Sequence, residues 1–197
     1  KSASAASDAI AVEQFGAIHL YDLKSAKLTP VAITVSGDMP EVRERLVNVS
    51  SRLRGAGISP SGARAVFEAR GEILTVPAEK GDPRNLTNST AVMEREPAWS
   101  PDGQSIAYFS DASGEYELHI APQTGSGDVK KIKLADKPGF YSTPRWSPDS
   151  KKIAFIDAHM TLWYVDVTAS TPPVKVDKNR FYGRNAQLAA AWSPDSK

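Results

Sequence analysis

The chain has 197 residues, 41% hydrophobic and 24% charged, with a formal net charge of +1 and no cysteine. That is the composition of a globular protein with enough apolar side chains for a sizeable core. The near-neutral charge, with bases and acids interleaved as in 41-EVRER-45, argues against nucleic acid as a partner. The lack of cysteine excludes disulfides, thiolate metal sites and cysteine nucleophiles, and no apolar run approaches the roughly 20 residues of a membrane span.

The opening KSASAASDA is small and polar, and reads as a linker or as the remnant of a processed leader without its apolar core. Ile10-Ala11-Val12 and Ile18-His19-Leu20-Tyr21 then read as strands, closed by a more polar strand from Lys27 to Val31. A long connection over 35–62 follows. It holds the one helix-favouring stretch, 40-PEVRERLV-47, which overlaps a strand-like Arg45-Leu46-Val47-Asn48-Val49.

From there the chain repeats itself. A Ser-Pro turn occurs as 59-SPSG, 100-SPDG, 147-SPDS and 193-SPDS, at intervals of 41, 47 and 46 residues. Those intervals are close to the roughly 40–45 residues of a four-stranded propeller blade. Each turn follows a short strand ending in Ile58, Trp99, Trp146 or Trp192. Pro presets φ, Asp bonds nearby backbone N–H groups, and Gly relaxes the φ restriction. A second strand follows (Ala65-Val66-Phe67, Ile106-Ala107-Tyr108, Ile153-Ala154-Phe155), then a third (Ile73 to Val76, Leu118 to Ala121, Leu162 to Val165) and a charged fourth. The expected fold is all-β: antiparallel four-stranded propeller blades, about four blades' worth, in an incomplete ring.

In this reading the first unit (about 8–35) lacks its first strand, while units over 53–90, 93–136 and 140–178 are complete. The last unit contributes only a strand from Ala189 to Ser193 and its turn. A ring of six or seven blades needs roughly 270–315 residues, so the chain reads as a piece of a longer polypeptide. The C-terminal strand matches the one missing from the first unit. Strand addition within one chain, or between two self-associating chains, would then restore a blade.

The W-S-P-D-G turn followed by I-A-[FY] resembles the Pro-Asp subclass of WD-like repeats. The longer 69-ARGEILTVPAEKGDPRNLT-87 with 96-EPAWSPDGQSIAYFSDASGEYELHI-120 resembles the propeller region of bacterial tricorn-type serine proteases. That resemblance implies that residues 1–40 end a first propeller, 41–52 connect, and 53–197 open a second. It also implies that such propellers gate peptides and serve as an assembly scaffold for a catalytic domain elsewhere in the polypeptide. No position here matches that family's catalytic motifs, so no catalytic residue is assigned. A TolB-type protein-binding propeller, or the propeller of a prolyl-oligopeptidase-like or amidohydrolase-linked enzyme, is the alternative.

His19 and His119 fall in one strand column of separate units, and His159 lies in the exposed link 157-DAHM-160. They read as structural, and no metal or other cofactor is expected. Ser100, Ser147 and Ser193, with Asp102, Asp149 and Asp195, recur because the turn needs them. No G-x-S-x-G elbow and no phosphate loop is present. The sequons at Asn48, Asn85 and Asn88 matter only in a glycosylating pathway. Ligands of propellers gather where loops converge near the axis, so the residues leading into the first strands are the candidates for contact with peptides or proteins. These are Arg54, Arg95, Tyr141 and, within 179-NRFYGRNAQ-187, Arg184. Cytoplasm and periplasm of a bacterium remain equally open.

Overall fold

The computed structural model describes residues 2–14, 16–38, 45, 47–135, 139–179 and 190–197. Two compact units emerge, Lys1–Val47 and Asn48–Lys197. The first holds one sheet: β1 (Ser2–Ala5), β2 (Ala9–Gln14), β3 (Ala17–Asp22) and β4 (Lys27–Pro30). The second holds three sheets. These comprise β5 (Leu53–Ile58), β6 (Arg64–Ala69), β7 (Glu72–Pro77) and β8 (Arg84–Asn85); β9 (Glu94–Trp99), β10 (Ser105–Ser110), β11 (Glu117–Pro122) and β12 (Lys130–Ile132); and β13 (Tyr141–Trp146), β14 (Lys152–Asp157), β15 (Thr161–Asp166) and β16 (Val174–Lys178). Every sheet is an antiparallel meander in chain order, the expected blade.

Two expectations at the chain's ends are corrected. The first unit does not lack its first strand: Ser2–Ala5 pairs with β2, Ser2 opposite Glu13 and Ala5 opposite Ile10. The strand escaped notice because a run of Ser and Ala has no apolar alternation, whereas backbone pairing needs none. The edge that the C-terminal segment was expected to complete is therefore taken by β1. At the other end, Ala190 to Ser193 form no strand, and Ala189 lies outside the described residues. This segment is held by side chains and a turn instead of a ladder. The helix-favouring 40–47 lies almost wholly outside the described residues. Val47 to Val49 are irregular and lead into a 3-10 turn, Ser50–Arg52.

Within the second unit, burial follows the repeat. β10 and β14 carry Ile106-Ala107-Tyr108-Phe109 and Ile153-Ala154-Phe155-Ile156, all buried. Both faces of these strands are covered, which is why their sequences run apolar without alternation. Phe109, Tyr141 and Phe155 form an aromatic cluster across the boundary between the last two sheets, with Tyr141 and Phe155 centroids 5.5 Å apart and edge-on.

The Ser-Pro turns close identically. Gly62, Gly103, Ser150 and Ser196 each donate their N–H to the carbonyl of the turn serine, at 2.8 to 3.0 Å. Ser100 Oγ donates to Asp102 Oδ1 at 2.6 Å and accepts from Ser105 N at 2.9 Å, and Ser147 repeats the pattern with Asp149 and Lys152. The fourth turn residue is left-handed in all four, with φ of 72° at both glycines, 60° at Ser150 and 62° at Ser196. The two serines make a contact that glycine cannot. Ser150 Oγ accepts from Asp102 N, and Ser196 Oγ from Asp149 N, both at 3.1 Å and both from the preceding blade's turn. The Trp before the turn also reaches back: Trp146 Nε1 donates to Ala98 O at 3.1 Å and Trp192 Nε1 to Arg145 O at 2.9 Å. The repeated motif is thus both a turn and a blade-to-blade clasp.

The β14–β15 hairpin has its own lock. Asp157 accepts from His159 N (2.8 Å), Thr161 N (2.9 Å) and Trp163 Nε1 (3.0 Å). Burial pushes its pKa up, but these donors outweigh burial and hold it below the ordinary Asp value. A depressed folded-state pKa stabilises above the unfolded value and is lost as pH falls through the folded one. Asp157→Asn should therefore cost about 1 kcal/mol at neutral pH. Its urea midpoint should begin to approach that of the wild type only below about pH 4 and converge with it once the pH has fallen through the depressed folded-state value; a gap that does not narrow as the pH falls would show that the charge is not responsible.

Candidate functional site

Arg54 and Arg95 are the second residues of β5 and β9, equivalent places in neighbouring blades. Both lie within the first strands, where the sequence reading put them just ahead. Immediately after them each strand bulges: the β5–β6 register shifts between Arg54 and Ala56, that of β9–β10 around Glu96, and that of β13–β14 between Ser142 and Arg145. The bulged residue is left-handed each time, with φ of 46° at Gly55, 54° at Glu96 and 53° at Thr143. A bulge bends the strand and tolerates the missing N–H of Pro97 and Pro144.

The bulges are tied blade to blade by carboxylates. Glu68 of β6, only 6% exposed, accepts the Glu96 N–H at 2.9 Å, and Glu96 Oε2 accepts the Thr143 N–H at 2.5 Å. Those bonds compensate the left-handed backbone at Glu96 and Thr143, which costs on the order of 1 kcal/mol or more for a non-glycine residue. Glu96 Oε1 also accepts from Arg95 Nη2 at 3.1 Å. A Cβ on Gly55 would meet Pro97 Cδ at 3.3 Å and Glu68 Oε2 at 3.6 Å, so the glycine keeps the floor open as well as taking the left-handed turn.

The result is a cleft of about 430 Å³ lined by Arg54, Arg95, Glu68, Glu96, Pro97 and Pro144. Arg54 is exposed. Arg95 is held: its guanidinium carbon lies 4.1 Å from the Phe140 ring centroid and 6.0 Å from that of Tyr116. A cation over an aromatic face contributes about 0.5–2 kcal/mol. Burial, then the charge of Asp111, raises the Tyr116 pKa, so its phenol stays protonated. Arg95 Nε is buried with no acceptor, an orphan donor beside the cleft.

No serine, threonine, cysteine or histidine lines this cleft among the described residues, and both carboxylates already hold backbone amides. What the lining offers is guanidinium donors beside an apolar proline surface.

Tyr141 is not part of this opening. It is 6% exposed and packs with Phe109 and Phe155, because the first residue of β13 faces the neighbouring sheet. Arg184 lies outside the described residues. Of the histidines, His19 is half-buried on β3, His159 is exposed, and His119 is buried against Tyr108, where burial lowers its pKa. Among the described residues no three His, Asp or Glu side chains assemble as metal ligands. Sequence reasoning missed Glu68 and Glu96. The sole signal for Glu96 was a charged residue before proline inside a strand, and for Glu68 an acid in a buried strand.

No family model matches the chain. Over 58 residues it is 40% identical to an uncharacterized peptidase, YuxL, of Bacillus subtilis, a match covering 29% of this chain and 8% of that protein. Over 104 residues it is 32% identical to dipeptidyl-peptidase 5 of Porphyromonas gingivalis, covering 48% of this chain and 15% of the other. The chain therefore matches only a small part of either peptidase. Among solved structures, the putative TolB of Agrobacterium tumefaciens aligns with a TM-score of 0.55 at 19% identity, over 87% of this chain and 58% of its own. The tricorn protease aligns with a TM-score of 0.49 at 17% identity, over 92% of this chain and 18% of its own. The sheets are propeller blades like those of TolB, with partial sequence likeness to proteins named as peptidases; the tricorn type is not singled out.

Proposed function

We propose that this chain is a non-catalytic propeller segment of a peptidase, in which the Arg54–Arg95 cleft receives peptide while hydrolysis takes place elsewhere in the polypeptide. The carrying observation is the cleft itself, lined by two arginines on equivalent first-strand positions and, among the described residues, by no nucleophilic side chain. The partial likeness to YuxL and dipeptidyl-peptidase 5 supports a peptidase as the parent. On this reading, residues 1–40 end one propeller and 53–197 begin another, and the blades serve as both gate and scaffold. A tricorn-like serine protease is one such parent and a prolyl-oligopeptidase-like enzyme another; a TolB-like protein-binding module would lack the hydrolase altogether.

The test is binding of labelled extended peptides to the 197-residue chain, followed by anisotropy. Arg54→Glu with Arg95→Glu should weaken binding about tenfold or more, the loss of a charge-assisted contact, and no peptide should be cleaved. Unaltered binding by the double variant removes the cleft from peptide recognition. Cleavage abolished by a serine-directed inhibitor overturns the non-catalytic assignment.

A further inference from the structure

The second unit holds another opening, of about 370 Å³, at the turn end of the boundary between the β5–β8 and β9–β12 sheets. Arg64, Lys80 and Arg84 line it, with the Ser61 hydroxyl, the Gln123 amide and the Trp99 ring. No Asp or Glu side chain lines it among the described residues.

The charges are unbalanced by construction. Arg64 is fixed by four bonds, from Nε and Nη2 to Thr75 Oγ1 at 3.2 and 3.1 Å and from Nη2 to the carbonyls of Thr75 and Asp82 at 3.1 Å each. The three acceptor atoms, Thr75 Oγ1 and the Thr75 and Asp82 carbonyls, are neutral oxygens, so they orient the guanidinium without cancelling its charge. Burial first, and the neighbouring Arg84 charge second, lower the Arg64 pKa. Ion pairs between described residues occur elsewhere, as at Arg95–Glu96, His119–Glu117 and Lys197–Asp195. The contrast with the peptide cleft is direct. There two arginines share the lining with two glutamates; here the lining holds three cationic residues and no acidic one.

We propose that this pocket is an anion site that binds a phosphoryl group. One carboxylate would leave two of the three cations unmatched, whereas a phosphate carries nearly two negative charges at neutral pH and three acceptor oxygens. Guanidinium, ammonium, hydroxyl and amide donors suit those oxygens. The volume exceeds that of a bare ion and sits within the range of small-ligand pockets, with Trp99 as a flat wall for an organic body.

The experiment is calorimetric titration of the full chain in chloride buffer with inorganic phosphate, phenyl phosphate and acetate. Saturable binding of both phosphates and none of acetate is expected, weakening as sodium chloride is raised. Lys80→Gln with Arg84→Gln, both on exposed side chains, should reduce affinity at least about tenfold with an unchanged circular dichroism spectrum. Arg54→Glu with Arg95→Glu should leave it intact, which keeps this site independent of the peptide cleft. Tighter binding of phenyl phosphate identifies a monoester as the ligand and equal binding identifies free phosphate; both support the site. No saturable binding of either phosphate, equal binding of acetate, or full retention in the Lys80/Arg84 double variant overturns it.

Discussion

Trp146→Ala should lower stability by about 3–5 kcal/mol, the usual cost of emptying a large aromatic site in a packed boundary. For a unit of this size that is a fall of about 6–20 °C in the unfolding midpoint. The side chain packs against the cluster holding Phe109, Phe155 and Val165, and its indole N–H donates to Ala98 O in the preceding blade. Truncation therefore opens a cavity and leaves a carbonyl without its donor. Trp146→Phe separates the two effects. It keeps most of the ring volume and should cost about 1–2 kcal/mol. Trp99 supplies an internal control, since its indole nitrogen is buried without an acceptor, and Trp99→Phe should cost less than Trp146→Phe. Chemical denaturation of the three variants measures the differences. An unchanged midpoint for Trp146→Ala would contradict its role between blades.

Tyr141→Ala is expected to be comparably severe, about 3–5 kcal/mol, and to act through folding alone. The ring lies between Phe109 and Phe155, at centroid distances of 5.9 and 5.5 Å. Burial, then the charge of Asp157, raises its pKa, so the phenol is neutral throughout the physiological range. Tyr141→Phe keeps the packing and should leave both the melting midpoint and peptide affinity close to wild type. A large loss of peptide affinity in Tyr141→Phe, with stability unchanged, would return this residue to the binding surface. Arg54 and Arg95 should show the opposite pattern, with binding lost and the midpoint moved little at Arg54.

The difference between Tyr141 and the two arginines shows where sequence reasoning stopped. All three stand at the start of a first strand, so the repeat selects them together. Their fates diverge because β13 begins with Tyr141, one place ahead of the Arg54 and Arg95 column, and a one-residue step along a strand reverses the face a side chain takes. The bulges had no sequence signature apart from the two prolines, because left-handed Glu96 and Thr143 are held by the carboxylates of a neighbouring blade or of Glu96 itself. Ser2–Ala5 likewise became a strand through a partner, and Ala190–Ser193 stayed irregular without one.

By itself the sequence determined the all-β class, the blade repeat, the Ser-Pro-Asp turns and the interblade tryptophans. These follow from local rules: apolar runs wherever both faces of a strand are covered, and turn chemistry read residue by residue. Only the tertiary structure decided which side chains meet. It put Glu68 and Glu96 with the arginines in the lining of one cleft, Arg64, Lys80 and Arg84 in the lining of another, and withdrew Tyr141 into the core. The physical reason is that these groups lie on different strands or blades, so their electrostatics depends on how neighbouring sheets pack, and no spacing along a single chain encodes that.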